Sequence, residues 1–90
     1  MPTLSFTQNL LRHVEAPSSA EVEGATIAAT LEDYFTAHPR VRAYVLDDQG
    51  AVRKHVAIFL NQEPIRDRTG LSDPVAASDE VFVAQALSGG

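Results

Sequence analysis

The residue types that do chemistry occur in this chain, but their spacing assembles no catalytic centre. His13, His38 and His55 are scattered, with no i, i+4 pair and no acidic partner at metal-ligand spacing, so no metal site is expected. Glu32-Asp33 and Asp47-Asp48 are adjacent carboxylates, which point apart on a helix or strand and suit solvated faces better than acid–base work. Ser5, Ser18, Ser19, Ser72, Ser78 and Ser88 stand in no nucleophile-elbow pattern. Cysteine is absent, which removes thiol catalysis and every CxxC redox or zinc motif. No intrinsic catalytic residue is expected. One feature remains, the closing pair Gly89-Gly90. At a glycine frequency of ~7% such a pair ends about one chain in two hundred by chance, so its weight comes from what precedes it.

Ninety residues, 44% hydrophobic and 21% charged, allow one core and not two. Seven Lys+Arg against twelve Asp+Glu give a net charge of −5, which argues against binding a phosphate backbone, so no nucleic acid is expected. No apolar run approaches the ~20 residues of a membrane span. The opening Met-Pro-Thr-Leu-Ser-Phe lacks the layout of a secretory signal, and the expected address is the cytoplasm. Lys54 is the only lysine. Arg66 and Arg68, with Arg12 near them, read as solvated surface arginines, contact with an acidic partner rim being the alternative.

The elements follow from periodicity. Thr3 to Thr7 alternates with the period of a half-buried strand, which sends Leu4 and Phe6 to the core. A second short strand covers Ala20 to Val22, closed by Gly24. From the N-cap Thr26, apolar residues at Ile27, Leu31, Tyr34 and Phe35 mark one face of a helix, which Pro39 ends. Ala43 to Leu46 and Ala51 to Arg53 read as a strand and its return around Asp47-Asp48-Gln49-Gly50. Val56 to Leu60 is the strongest strand. Glu63 to Thr69 reads as exposed loop, Leu71 to Val75 as a helical turn around Pro74, and Val81 to Ala84 as the last strand. One helix with one apolar stripe must cover one face of one sheet, which makes the fold α+β and leaves the other face free. Alternation puts Val56, Ile58, Leu60, Val81 and Val83 toward the helix. Ala57, Phe59, Phe82 and Ala84 then share the outer face, where an aromatic pair is a candidate partner-binding site. A register slipped by one residue would reverse every one of these assignments.

Gly24-Ala25-Thr26-Ile27, Val56-Ala57-Ile58-Phe59-Leu60-Asn61, Asp79-Glu80-Val81 and the ending Leu87-Ser88-Gly89-Gly90 together resemble the ubiquitin-like sulfur carriers. These ThiS/MoaD-like proteins comprise the thiamine sulfur carrier, the small subunit of molybdopterin synthase and cysteine-biosynthesis relatives. The resemblance covers essentially the whole chain. Two departures concern turns: Ser78 stands where the family usually has glycine, and Gln62 follows Asn61 where glycine is often found. The resemblance implies a ubiquitin-like β-grasp, a mixed four- to five-stranded sheet on one main helix, with first and last strands parallel and adjacent. Residues 1–84 would form the domain and 85–90 a flexible tail.

The resemblance also implies the chemistry. An E1-like adenylyltransferase, using ATP and Mg²⁺ of its own, would adenylate the Gly90 carboxylate. A sulfur donor (a sulfurtransferase, or a sulfide or persulfide source) would displace the adenylate and leave a thiocarboxylate, whose sulfur passes to an acceptor biosynthetic enzyme. The chain would then be a carrier rather than an enzyme, with no cofactor bound. Glycine lacks a Cβ, so Gly89 and Gly90 can thread a narrow channel. Leu87 to Gly90 extend about 13 Å at ~3.3 Å per residue. The alternatives are a protein modifier conjugated through Gly90 to lysines, a subunit completing a synthase with its tail, and a non-catalytic ubiquitin-like binding module.

Overall fold

Sheet and helices share one apolar layer, and strand alternation decides which side chains enter it. The computed structural model describes residues 1–8, 10–11 and 14–85. Strand β1, Thr3–Phe6, buries Leu4 and Phe6 and leaves Thr3 and Ser5 half-exposed. Strand β2, Ser19–Glu21, runs antiparallel to it, with Glu21 opposite Thr3 and Ser19 opposite Ser5.

Helix α1, Ile27–Ala37, buries Ile27, Thr30, Leu31, Tyr34 and Phe35. Its first turn leaves amides without intrahelical partners, and each finds one elsewhere. Ala29 N–H donates to the Thr26 hydroxyl at 3.1 Å, Ile27 N–H to the Asp73 carbonyl at 3.0 Å and Ala28 N–H to the Leu71 carbonyl at 2.9 Å. The segment around Leu71 and Asp73 is therefore irregular rather than the helical turn expected there, because its carbonyls serve α1, Leu71 has a φ of 55°, and Pro74 bridges Thr26. Gly24 lets the incoming chain approach this turn. A Cβ on it would lie 2.6 Å from the Thr30 nitrogen, and its φ is +150°.

A second correction concerns residues 39–46. Pro39 ends α1 but also opens helix α2, Pro39–Val45, which takes in Ala43, Tyr44 and Val45 of the strand expected at Ala43 to Leu46. Proline loses nothing at a first helical position, since its missing N–H would have had no partner there. Val41 and Val45, four apart, both turn into the core. Only a single antiparallel bridge, Leu46 to Val52, survives of the expected strand and return.

Strand β3, Val56–Leu60, turns through Asn61-Gln62 into β4, Glu63–Pro64, a two-residue strand at the start of the expected exposed loop. Strand β5, Glu80–Gln85, lies parallel to β1 and antiparallel to β3. The sheet order is β2-β1-β5-β3-β4. Leu4, Phe6, Val56, Ile58, Val81 and Val83 meet the buried faces of α1 and α2 in one core. Within it the Tyr34 hydroxyl donates to the Pro17 carbonyl at 2.7 Å, and burial raises its pKa above the ordinary 10.0. This is the expected α+β arrangement: a mixed five-stranded sheet, parallel at its centre, covered on one face by helix. β5 includes Gln85, the first residue assigned to the tail. Leu87, Ser88, Gly89 and Gly90 lie outside the described residues, as do Arg12 and His13.

Candidate functional site

The face of the sheet away from the helices is built by the residues that alternate with the core. Register places them in rows. Ser19 lies opposite Ser5, Ser5 beside Phe82, Phe82 opposite Phe59 and Phe59 opposite Pro64, so one row crosses all five strands. Ala57 and Ala84 pair in the next row of β3 and β5. Phe82 is 40% exposed, Phe59 is half-buried, and their ring centroids lie 6.5 Å apart. Offset rings at that distance attract weakly and hold each other's orientation. The register read from alternation is thus the register of the structure: Phe59, Phe82, Ala57 and Ala84 share the open face, while Val56, Ile58, Val81 and Val83 are buried.

Beside the aromatic row lies a concavity of about 550 Å³, walled by Ser5, Phe59, Asn61, Gln62, Glu80 and Phe82. Its lining sets two aromatic rings among the polar side chains of Ser5, Asn61, Gln62 and Glu80.

The rim is held by a contact that reading the strands alone did not reveal. Asn61 Nδ2 donates to Asp79 Oδ1 at 2.9 Å, and Glu80 N–H donates to Asn61 Oδ1 at 2.9 Å. Asn61 N–H donates to the Glu80 carbonyl at 2.9 Å, and Ala76 N–H to Asp79 Oδ2 at 2.8 Å. The turn after β3 and the turn before β5 are thereby tied at one corner. The Ala76 amide first, and then Asn61, hold the Asp79 carboxyl below the ordinary carboxylate range. Asn and Asp bound to backbone amides are the signal that was available, since these side chains favour turns for that reason.

The other polar candidates have structural partners. Asp67 accepts the Ser72 hydroxyl at 2.6 Å, the Gly70 amide at 2.8 Å and the Thr69 amide at 3.1 Å, which folds residues 67–72 around one carboxylate. Asp47 accepts the amides of Gln49 and Ala51 at 2.9 and 3.0 Å. Arg68 Nη2 donates to the carbonyls of Arg53 and Val56, so it is a loop brace rather than a freely solvated arginine. His38 stacks on Tyr34, centroids 4.7 Å apart, while His55 lines a different concavity. Among the described residues no three His, Cys, Asp or Glu side chains converge as metal ligands, and no helix is long and apolar enough to cross a membrane.

The family model described as the ThiS family matches residues 9–90. The sulfur carrier protein CysO of Mycobacterium tuberculosis H37Rv is 27% identical over 90 residues, covering 98% of this chain and 97% of that one. SAMP1 from Haloferax volcanii superposes with a TM-score of 0.81 at 25% identity, covering 99% and 98%. A chain of the Amycolatopsis orientalis BexX/CysO complex superposes with a TM-score of 0.84 at 24% identity over 100% of both chains, a likeness of fold.

Proposed function

The chain belongs to the ThiS family of ubiquitin-like sulfur carriers, and from that premise we propose that Gly90 is the residue that carries the sulfur and that the open sheet face presents it. The protein is a carrier, not an enzyme: its terminal glycine serves thiocarboxylate formation, and partner enzymes supply the catalysis. The observation that carries this reading is the family match running to residue 90, the second of two closing glycines.

A carboxylate is a poor electrophile because its charge is delocalised and oxide is a poor leaving group. An E1-like enzyme overcomes this by joining the Gly90 carboxylate to the α-phosphate of ATP, with pyrophosphate leaving. Hydrosulfide sulfur then attacks the acyl carbon, the acyl–oxygen bond to AMP breaks, and a thiocarboxylate remains. ATP and Mg²⁺ belong to the enzyme. Without cysteine, this chain carries no thiol of its own to intercept the activated acyl group. Phe59 and Phe82, flanked by Ala57 and Ala84, are the partner-binding surface in this reading, because an aromatic pair with one ring exposed and one half-buried gains most when a partner excludes water from it. A cytoplasmic setting supplies the ATP that the reaction consumes.

The test is mass spectrometry after incubation with an E1-like enzyme, Mg²⁺-ATP and a sulfide donor. A gain equal to one oxygen exchanged for one sulfur, lost when Gly90 is deleted, is the expected result; an unchanged mass sinks the proposal. The likeness to SAMP1, a small archaeal modifier protein, supports a second reading in which the same adenylate ends as an amide on a target lysine. Higher-mass conjugates in cell extract would mark it.

A further inference from the structure

Away from the aromatic row, a second concavity of about 440 Å³ is lined by Tyr44, Arg53, Lys54, His55, Val56 and Gln85 among others. Its walls are cationic. Arg53 Nε donates to the Ala43 carbonyl at 2.7 Å, and Arg68 Nη2 to the Val56 carbonyl at 2.7 Å, which fixes two guanidinium groups around residues 53–56. Three of the seven Lys and Arg of a chain of net charge −5, Arg53, Lys54 and Arg68, thus gather at one end. Among the described residues the one ion pair is Arg42 with Glu32, on the α1 side, and the Asp47 carboxylate is engaged by the Gln49 and Ala51 amides. The charge of this concavity is left for a partner.

Its position says which partner. Gln85 lies opposite Val56 in the β3–β5 ladder, so the cationic walls stand where β5 leaves the sheet. Five residues separate Gln85 from the end of the chain. Fully extended, they span at most about 18 Å. Any enzyme that takes the Gly90 carboxylate into its active site must bring its own surface that close to the concavity. We propose that this concavity is a second docking site, distinct from the aromatic row, for an acidic surface on the activating enzyme at the entrance of the channel that receives the tail. The inference rests on the sulfur-carrier reading. The overall charge repels an acidic enzyme at long range, whereas a local cluster of cations attracts it in one orientation, the one that points the tail at the channel.

Lys54 makes no hydrogen bond or ion pair among the described residues, so Lys54→Glu reverses charge without disturbing the fold. The measurement is ATP–pyrophosphate exchange by the E1-like enzyme of the source organism, with the full chain as varied substrate at low and high salt. For Lys54→Glu, KM rises about tenfold at low salt with kcat unchanged, the difference shrinks at high salt, and Lys54→Arg restores the wild-type value. An unchanged KM and salt slope overturn the inference and leave the carrier reading standing. Salt-sensitive self-association lost in Lys54→Glu also overturns it, by assigning the concavity to a second copy of the chain. No exchange with the wild-type chain overturns both.

Discussion

Asn61 uses its side chain as both donor and acceptor, and with Asp79 closes the corner of the β3–β5 ladder beside the open face. Both residues stood out in the sequence as parts of a motif, but the contact between them joins positions 18 apart, which no local pattern displays. Asp67 is a similar case. Hydrogen bonds from the Ser72 hydroxyl, then the Gly70 and Ser72 amides, hold its carboxyl well below the ordinary value of 3.8. A folded pKa lower than the unfolded one adds stability that is fully present above the unfolded value and is lost as pH falls through the folded one. Urea midpoints of wild type and Asp67→Asn should therefore differ near neutral pH and converge once the pH drops below the carboxylate range. A gap that persists in acid would assign the loss to shape rather than charge. At the open face, Phe82→Asp should leave far-UV circular dichroism unchanged, because the ring is 40% exposed, while raising KM for activation by at least about tenfold. Val83→Asp, one residue on and fully buried, should unfold the domain. The pair of variants separates a binding face from a core.

Elements were legible where their period was long enough to distinguish. α1 presents three turns of one stripe, and β3 and β5 alternate over five and six residues. Helix α2 has seven residues with two buried valines, a run that a strand explains equally well, and Pro39 was read as a stop without its second role as a start. The irregular stretch at 71–75 was illegible for a different reason: its partners are the first amides of α1, more than forty residues away. Turns carry the element-scale predictions. Asn61 and Gln62 have φ of 50° and 74°, the left-handed pair that a two-residue hairpin requires. Asn tolerates that conformation and Gln does so poorly, so Gln62→Gly should stabilise by about 0.5–1 kcal/mol and raise the thermal midpoint by roughly 3–6 °C. Gly24→Ala should act in the opposite sense and more strongly, by about 2 kcal/mol or more. Its methyl group would meet the Thr30 nitrogen at 2.6 Å, backbone that cannot step aside without breaking the first turn of α1.

At the scale of the molecule, one sheet divides the work. Helices cover one face and make the core, and the other face is open, the surface proposed to meet partners. Both surfaces assigned to binding lie wholly within the described domain: the aromatic row across the sheet and the cationic concavity at the end of β5. Among the described residues, every strand pairing is complete by Gln85. The proposed reacting carboxylate, that of Gly90, lies five residues beyond, so in this reading recognition and chemistry occupy different parts of the chain. A chain ending at Gln85 should accordingly keep the wild-type thermal midpoint and gain no sulfur. It should also still occupy the activating enzyme. Added to the full chain in an exchange assay, it should inhibit competitively, with a Ki within about tenfold of the carrier's KM, since only the contacts of the tail are lost. The Phe82→Asp form of the truncated chain should inhibit far less. If the truncated domain folds and does not compete, the affinity resides in residues 86–90, and the sheet face serves only to cap the core.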